Sequence, residues 1–287
     1  MLFNLRCYIA SVRAPKRTVR ISLLCVLFLS GIFLAGCSEV SPQIPSATEP
    51  EITTASSIAP ETTTIETTPV ETTLPPETQP PHSSLYIPGI PVEDVIGWFN
   101  EVCLDAEITH SGNPKVVQKW TEPIVCCVLG SPTSEDLATL DGFLLWLNAL
   151  EGFPGIRLTE TEEEANLRFH FCSTEEMLRI MGENFSGMDG AVTFWYQHNA
   201  IYDAVICCRT GLDQTLRNSV ILEELYNGLG PIQDTELRPD SIIYAGFSQP
   251  QSLTEADELI LKLLYHPDML CGMDIDSCAE VIRKLYY

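Results

Sequence analysis

The stretch SVILEELYNGLGPIQD, residues 219–234, holds the side chains with the most chemical potential in the chain. Two adjacent carboxylates, Glu223 and Glu224, are followed by Asn227 and, beyond Gly230, by Gln233. On a helix, Glu223 and Asn227 are four apart and share one face, and a turn at Gly230 would bring Gln233 round to join them. One carboxylate with two neutral amide oxygens suits calcium or magnesium better than zinc, which favours imidazole and thiolate. Glu224 is then the candidate general base for an activated water. The plain alternative is a helix whose polar groups hydrogen-bond to neighbouring strands, one carboxylate being satisfied by backbone donors.

Other chemistries find less support. There is no G-x-S-x-G turn for a serine nucleophile. The histidines, His82, His110, His170, His198 and His266, contain no pair at metal-ligand spacing. Trp195 and Tyr196 could stack on a sugar, although aromatic residues in such a run are more often core. Past residue 37 there are eight cysteines: Cys103, Cys126, Cys127, Cys172, Cys207, Cys208, Cys271 and Cys278. No C-x-x-C spacing marks a zinc or redox site among them. An even number in an exported chain predicts disulfides, with the adjacent pairs 126–127 and 207–208 each bridging to different partners because strand neighbours point to opposite faces.

Export is the expectation from the N-terminus. Arg6, Arg13, Lys16, Arg17 and Arg20 precede the apolar run ISLLCVLFLSGIFLAG, which ends at Leu34-Ala35-Gly36-Cys37. That run falls short of the roughly 20 residues a spanning helix needs, and its ending resembles a bacterial lipobox. Residues 1–36 are therefore expected to be a lipoprotein signal peptide, with Cys37 lipidated and the protein held on the extracytoplasmic face of the cell membrane. Residues 37–83, rich in Thr, Pro and Glu, cannot bury enough apolar surface to fold and are expected to form a disordered stalk. The net charge of −23 would become more negative once the basic leader is lost, which argues against nucleic acid as a partner.

Residues 84–287 must supply the elements that position the candidate site. The spacing of Val92, Val95, Ile96, Phe99, Val102 and Cys103 predicts a helix over 91–103. EPIVCCVLG reads as a buried strand, and Ser134 as the N-cap of a helix carrying Leu137, Leu140, Leu144 and Leu147 to Gly152. GIRLTET and ANLRFHFC read as strands, the latter with Leu167, Phe169 and Phe171 on one face. GAVTFWYQHNAIYDAVICC reads as a hairpin turning at His198-Asn199, followed by the helix with Glu223 and Glu224. The expected class is α+β, a mixed twisted sheet packed on helices.

Two resemblances bear on these residues. Glu223, Glu224, Asn227, Gly230 and Gln233 fall on the metzincin frame H-E-x-x-H-x-x-G-x-x-H, matching its glutamate and glycine but none of its three zinc-ligand histidines. LTEADELILKLLY resembles the closing helix of the matrixins, SIIYAG stands where that family has its Met-turn, with Ile243 for the methionine, and ANLRFHF resembles its edge strand. More closely, VILEELYNGLGPIQD, LTEAD and HPDMLCGM resemble the motifs E-E-x-x-Q-x-L-G, L-T-x-x-D and D-P-x-x-x-x-G-M of domain of unknown function family 2927. Asn227 here replaces the usual glutamine, and His266 precedes Pro267.

These resemblances imply a zincin-like domain without its zinc ligands and with no cofactor. The expected function is a non-catalytic peptide- or glycan-binding domain of a surface lipoprotein. The alternatives are a hydrolase using Glu224 as base, with a non-zinc metal or none, and a structural envelope component. The expected partners are the membrane, through Cys37, and an envelope peptide, protein or glycan.

Overall fold

The computed structural model describes residues 6–10, 83–104 and 115–287. The apolar run, Cys37 and the Thr/Pro/Glu-rich segment lie outside the described residues. Among the described residues no helix is long and apolar enough to cross a membrane. The fold is mixed α/β, the described residues forming a sheet of seven strands with six helices.

The strands are β1 (Arg6–Ala10), β2 (Lys119–Trp120), β3 (Ile124–Gly130), β4 (Ile156–Thr159), β5 (Leu167–Cys172), β6 (Gly190–Gln197) and β7 (Ala200–Arg209). Their order is β1-β6-β7-β5-β3-β4, with β2 pairing alongside β7. The β4, β3, β5 and β7 neighbours are parallel, whereas β6 runs antiparallel to β7. In the parallel centre β3, IVCCVLG, reads as a continuous apolar run, as a strand covered on both faces can, whereas β5 alternates, with Arg168 and His170 half-buried. Leu167, Phe169 and Phe171 are buried together, as their alternation predicts. One expectation is corrected here. ANLRFHF, expected at an edge, supplies β5, which lies inside the sheet between β3 and β7.

The hairpin turns at His198 and Asn199, with φ of 52° and 64°, the left-handed pair that a two-residue turn needs to follow the twist of its strands. Backbone pairing continues beyond β6, where β1 lies antiparallel from Arg6 opposite Tyr196 to Ala10 opposite Val192.

The helices are α1 (Val92–Leu104), α2 (Ser134–Asn148), α3 (Thr174–Met181), α4 (Gln214–Gly228), α5 (Glu255–Tyr265) and α6 (Ile275–Tyr286). The N-cap of α2 is Thr133 rather than Ser134. Its hydroxyl accepts from the Asp136 N–H, and the Asp136 carboxylate accepts from the Thr133 N–H, forming a capping box. Leu140, Leu144 and Leu147 face the core, but Leu137, one turn too early, is exposed. Two helices escaped the sequence reading. The first, α3, opens on a Ser173–Glu176 capping box, and α6 opens on Asp274, whose carboxylate accepts from the Ser277 N–H.

The thiols depart from expectation. Cys103, Cys126, Cys127, Cys172, Cys207, Cys208, Cys271 and Cys278 are all free, with no disulfide at bonding distance. Most are packed as small apolar groups, the role a buried free cysteine commonly has.

Candidate functional site

Helix α4 carries the site and is buried almost all round, as a helix inside two layers must be. Asp213 caps its start, accepting from the Leu216 N–H at 3.1 Å. One turn later, Arg217 donates through Nε to Asp136 at 2.7 Å, pinning α4 to the first turn of α2. The helix then runs against β6 and β7.

Glu223, Glu224 and Asn227 have 0%, 0% and 1% of their surface exposed, and Gln233 is half-buried. The sequence therefore placed four polar side chains on one region, and the fold buries three of them. Neither Glu224 oxygen, nor Asn227 Oδ1, nor Gln233 Oε1, accepts a hydrogen bond from any described residue. An unmet buried acceptor costs about 1–3 kcal/mol, so this cluster is held in place by its surroundings. Burial pushes the Glu224 carboxyl well above its ordinary range, and the neighbouring charges of Glu223 and Asp234 push it the same way. Both effects favour the protonated form of Glu224 over that of an exposed glutamate.

The reason Glu224 fits at all is Gly190, the first residue of β6. A Cβ on Gly190 would stand 2.5 Å from Glu224 Oε1 and 2.5 Å from Val220 Cγ1. The strand backbone thus comes down onto the helix at the carboxyl group, a close approach only glycine permits. Sequence reading passed over Gly190, for which the only signal was a glycine opening an otherwise apolar strand.

The turn after α4 is equally determined. Gly230 has φ of 129°, and a Cβ there would meet the Gln118 carbonyl oxygen at 2.4 Å. The last carbonyls of α4 are taken by two buried side chains: Trp120 Nε1 donates to the Gly228 carbonyl at 2.9 Å and the Tyr265 hydroxyl to that of Leu229 at 2.7 Å. Helix ends of this kind need such donors when water cannot reach them.

SIIYAG and LTEAD are joined through one carboxylate. Asp257, fully buried, accepts from Arg238 at 2.7 Å, the Ser241 hydroxyl at 2.6 Å, the Ile242 N–H at 3.1 Å and the Thr254 hydroxyl at 2.9 Å. The Tyr226 hydroxyl of α4 donates to the Asp257 carbonyl at 3.0 Å. Ile243 is wholly buried. One residue thus ties the loop, α5 and α4 together, which gives the spacing of these motifs a structural reason.

The donor set does not fit zinc. The frame positions offer carboxyl and amide oxygens where zinc would take imidazole, and among the described residues no three of His, Cys, Asp and Glu gather to hold a metal ion. Of the histidines, His170 lies half-buried in β5, His198 sits at the hairpin turn and His266 caps α5. His82 and His110 lie outside the described residues. Trp195 and Tyr196 do not form a joint platform, because Tyr196 turns into the core and Trp195 is left half-buried.

A comparison with curated proteins returns no match. A family model does match, over residues 93–284, from the second residue of α1 to the last turn of α6, and so takes in the helix of Glu224, the Asp257 junction and the parallel strands. The chain belongs to the family described as Protein of unknown function (DUF2927).

Proposed function

We propose that this protein is a lipid-anchored, extracytoplasmic binding protein. Its domain is a zincin-type scaffold that has lost the metal chemistry and takes an extended peptide on the outer edge of β6. The single observation carrying this reading is the backbone pairing of Arg6–Ala10 with β6 over five residues. The partner of that edge is a segment of the chain's own basic leader. Lipobox processing at Cys37 would remove it and expose the edge to another strand. Unpaired N–H and C=O groups on such an edge favour strand addition.

Support for the scaffold comes from α4 packed under the β6–β7 hairpin, the left-handed turn at Gly230 and the Asp257 tie to the loop at Ile243. The hydrolase alternative needs Glu224 as an ionised base in contact with water. A fully buried carboxyl with raised proton affinity is poorly suited to that task.

The test uses a chain beginning at Cys37 and a fluorescent peptide of sequence LRCYIAS. Saturable binding is expected, and it should be abolished by N-methylation of alternate peptide amides. Binding that survives N-methylation at every amide would sink the strand-addition reading.

A further inference from the structure

Two cavities meet at Trp146, in the last turn of α2. One, of about 420 Å³, is also lined by Ser84, Leu150, Lys262 and His266. The other, of about 340 Å³, is lined by Thr139, Gln251, Ser252 and Glu258. Each is within the roughly 300–1,000 Å³ of ordinary small-ligand pockets. Neither is lined by Glu223 or Glu224, and α4 reaches the second through Leu222.

The lining chemistry is selective. Trp146 is half-buried and braced by Phe143, ring centroids 6.1 Å apart and tilted by 47°, so its indole is a firm wall shared by both cavities. Lys262 from the first cavity donates to Glu258 from the second at 2.8 Å, so the ion pair spans them, and Glu151 adds a carboxylate acceptor to the first. His266 Nδ1 accepts from the Asp268 N–H at 3.1 Å, which puts the proton of the neutral ring on Nε2 as a donor. Ser84, Thr139 and Ser252 add hydroxyls that can both donate and accept. The Gln251 amide is already fixed, donating to the carbonyls of Thr215 and Gln249, both at 3.0 Å.

An anion would find Lys262 already paired, would meet the Glu151 carboxylate and would face a chain of net charge −23. A purely apolar ligand would strand the hydroxyls and the ion pair. What matches an aromatic wall flanked by hydroxyls and by carboxylate acceptors is a neutral molecule with apolar C–H faces and a hydroxyl rim. We propose that these cavities form one binding site for a neutral oligosaccharide, with a sugar ring on each side of the Trp146 indole. The site is independent of the β6 edge.

The test titrates the full-length, ¹⁵N-labelled protein in detergent with cellobiose, N,N′-diacetylchitobiose and, as an anionic counterpart, digalacturonate. The indole N–H signal of Trp146, assigned with Trp146→Phe, should shift saturably with at least one neutral disaccharide. That of Trp120, buried and bonded to the Gly228 carbonyl, should stay still. Trp146→Ala should weaken binding about tenfold or more. Should that variant fail to fold, Ser252→Trp, which fills the second cavity, should weaken disaccharide binding and spare methyl β-glucoside. No saturable shift with either neutral disaccharide, tighter binding of digalacturonate, or undiminished affinity in both variants would overturn the proposal.

Discussion

The Glu224 carboxyl lies so close to the Gly190 backbone that a Cβ on Gly190 would stand 2.5 Å from Oε1. Strand β6, which lies between β1 and β7, and the helix that bears the acidic pair are therefore in direct contact at the candidate site. Whatever perturbs one is transmitted to the other, because a packed interior has no slack to absorb a methyl group.

Gly190→Ala should destabilise the domain by roughly 1–3 kcal/mol, the usual cost of forcing extra volume into a packed core. Val220 is as close to the new methyl as Glu224 is, so shortening Glu224 should restore only part of the loss. Urea unfolding of Gly190→Ala, Glu224→Ala and the double variant measures this. Wild-type stability in Gly190→Ala would mean that strand and helix are not in contact there.

Glu224→Gln should flatten the pH dependence of stability. An unfolded glutamate titrates near about 4.3, whereas the buried Glu224 holds its proton to much higher pH. The folded state thus binds the extra proton, and the stability linked to it is complete below the unfolded value and lost as pH rises through the folded one. As pH rises above the unfolded value, wild type should lose stability relative to Glu224→Gln. Parallel stability profiles for the two proteins would contradict the buried, protonated carboxyl.

Asp136 should show the opposite sign. Burial pushes its carboxyl up, but the hydrogen bonds from the Thr133 backbone, Gln214, Arg217 and the Thr133 hydroxyl outweigh it, and the net shift is downward. Its contribution is present above the unfolded carboxyl range and lost as pH falls through the folded value. Asp136→Asn should therefore blunt acid unfolding, read as a smaller slope of stability against pH in the acid limb.

Asp257→Ala should cost about 3–5 kcal/mol, since it leaves the buried Arg238 charge without its carboxylate. Asp257→Asn should cost less, because its one amide oxygen can still accept either from Ser241, at the Oδ1 position, or from the Ile242 N–H, at the Oδ2 position. Thermal unfolding orders the three proteins; an Ala variant as stable as wild type would remove Asp257 as the tie between loop and helix.

The parts of this fold legible in the sequence are those with a local cause. The period of Leu140, Leu144 and Leu147, the alternation of Leu167, Phe169 and Phe171, and the turn at His198-Asn199 each follow from neighbours in the chain. The α3 helix was equally local, its Ser173–Glu176 capping box standing in the sequence, but its eight residues carry a single buried position, Met177, and so no apolar stripe. Long-range facts were less legible. The interior place of β5 is a matter of strand order, which no local pattern encodes. The thiols mislead because their even number is as compatible with apolar packing as with bridges. At the site itself, the acidic pair was visible, while its burial depends on Gly190, some thirty positions away, and on the closing of strand onto helix.

The most direct test of the β6 edge is hydrogen exchange of residues 190–197 in a chain beginning at Cys37, with and without saturating LRCYIAS peptide. Added protection across Val192 to Tyr196, the residues that face Ala10 through Arg6, is the predicted result. Unchanged exchange along β6 at saturating peptide would contradict a strand-accepting edge.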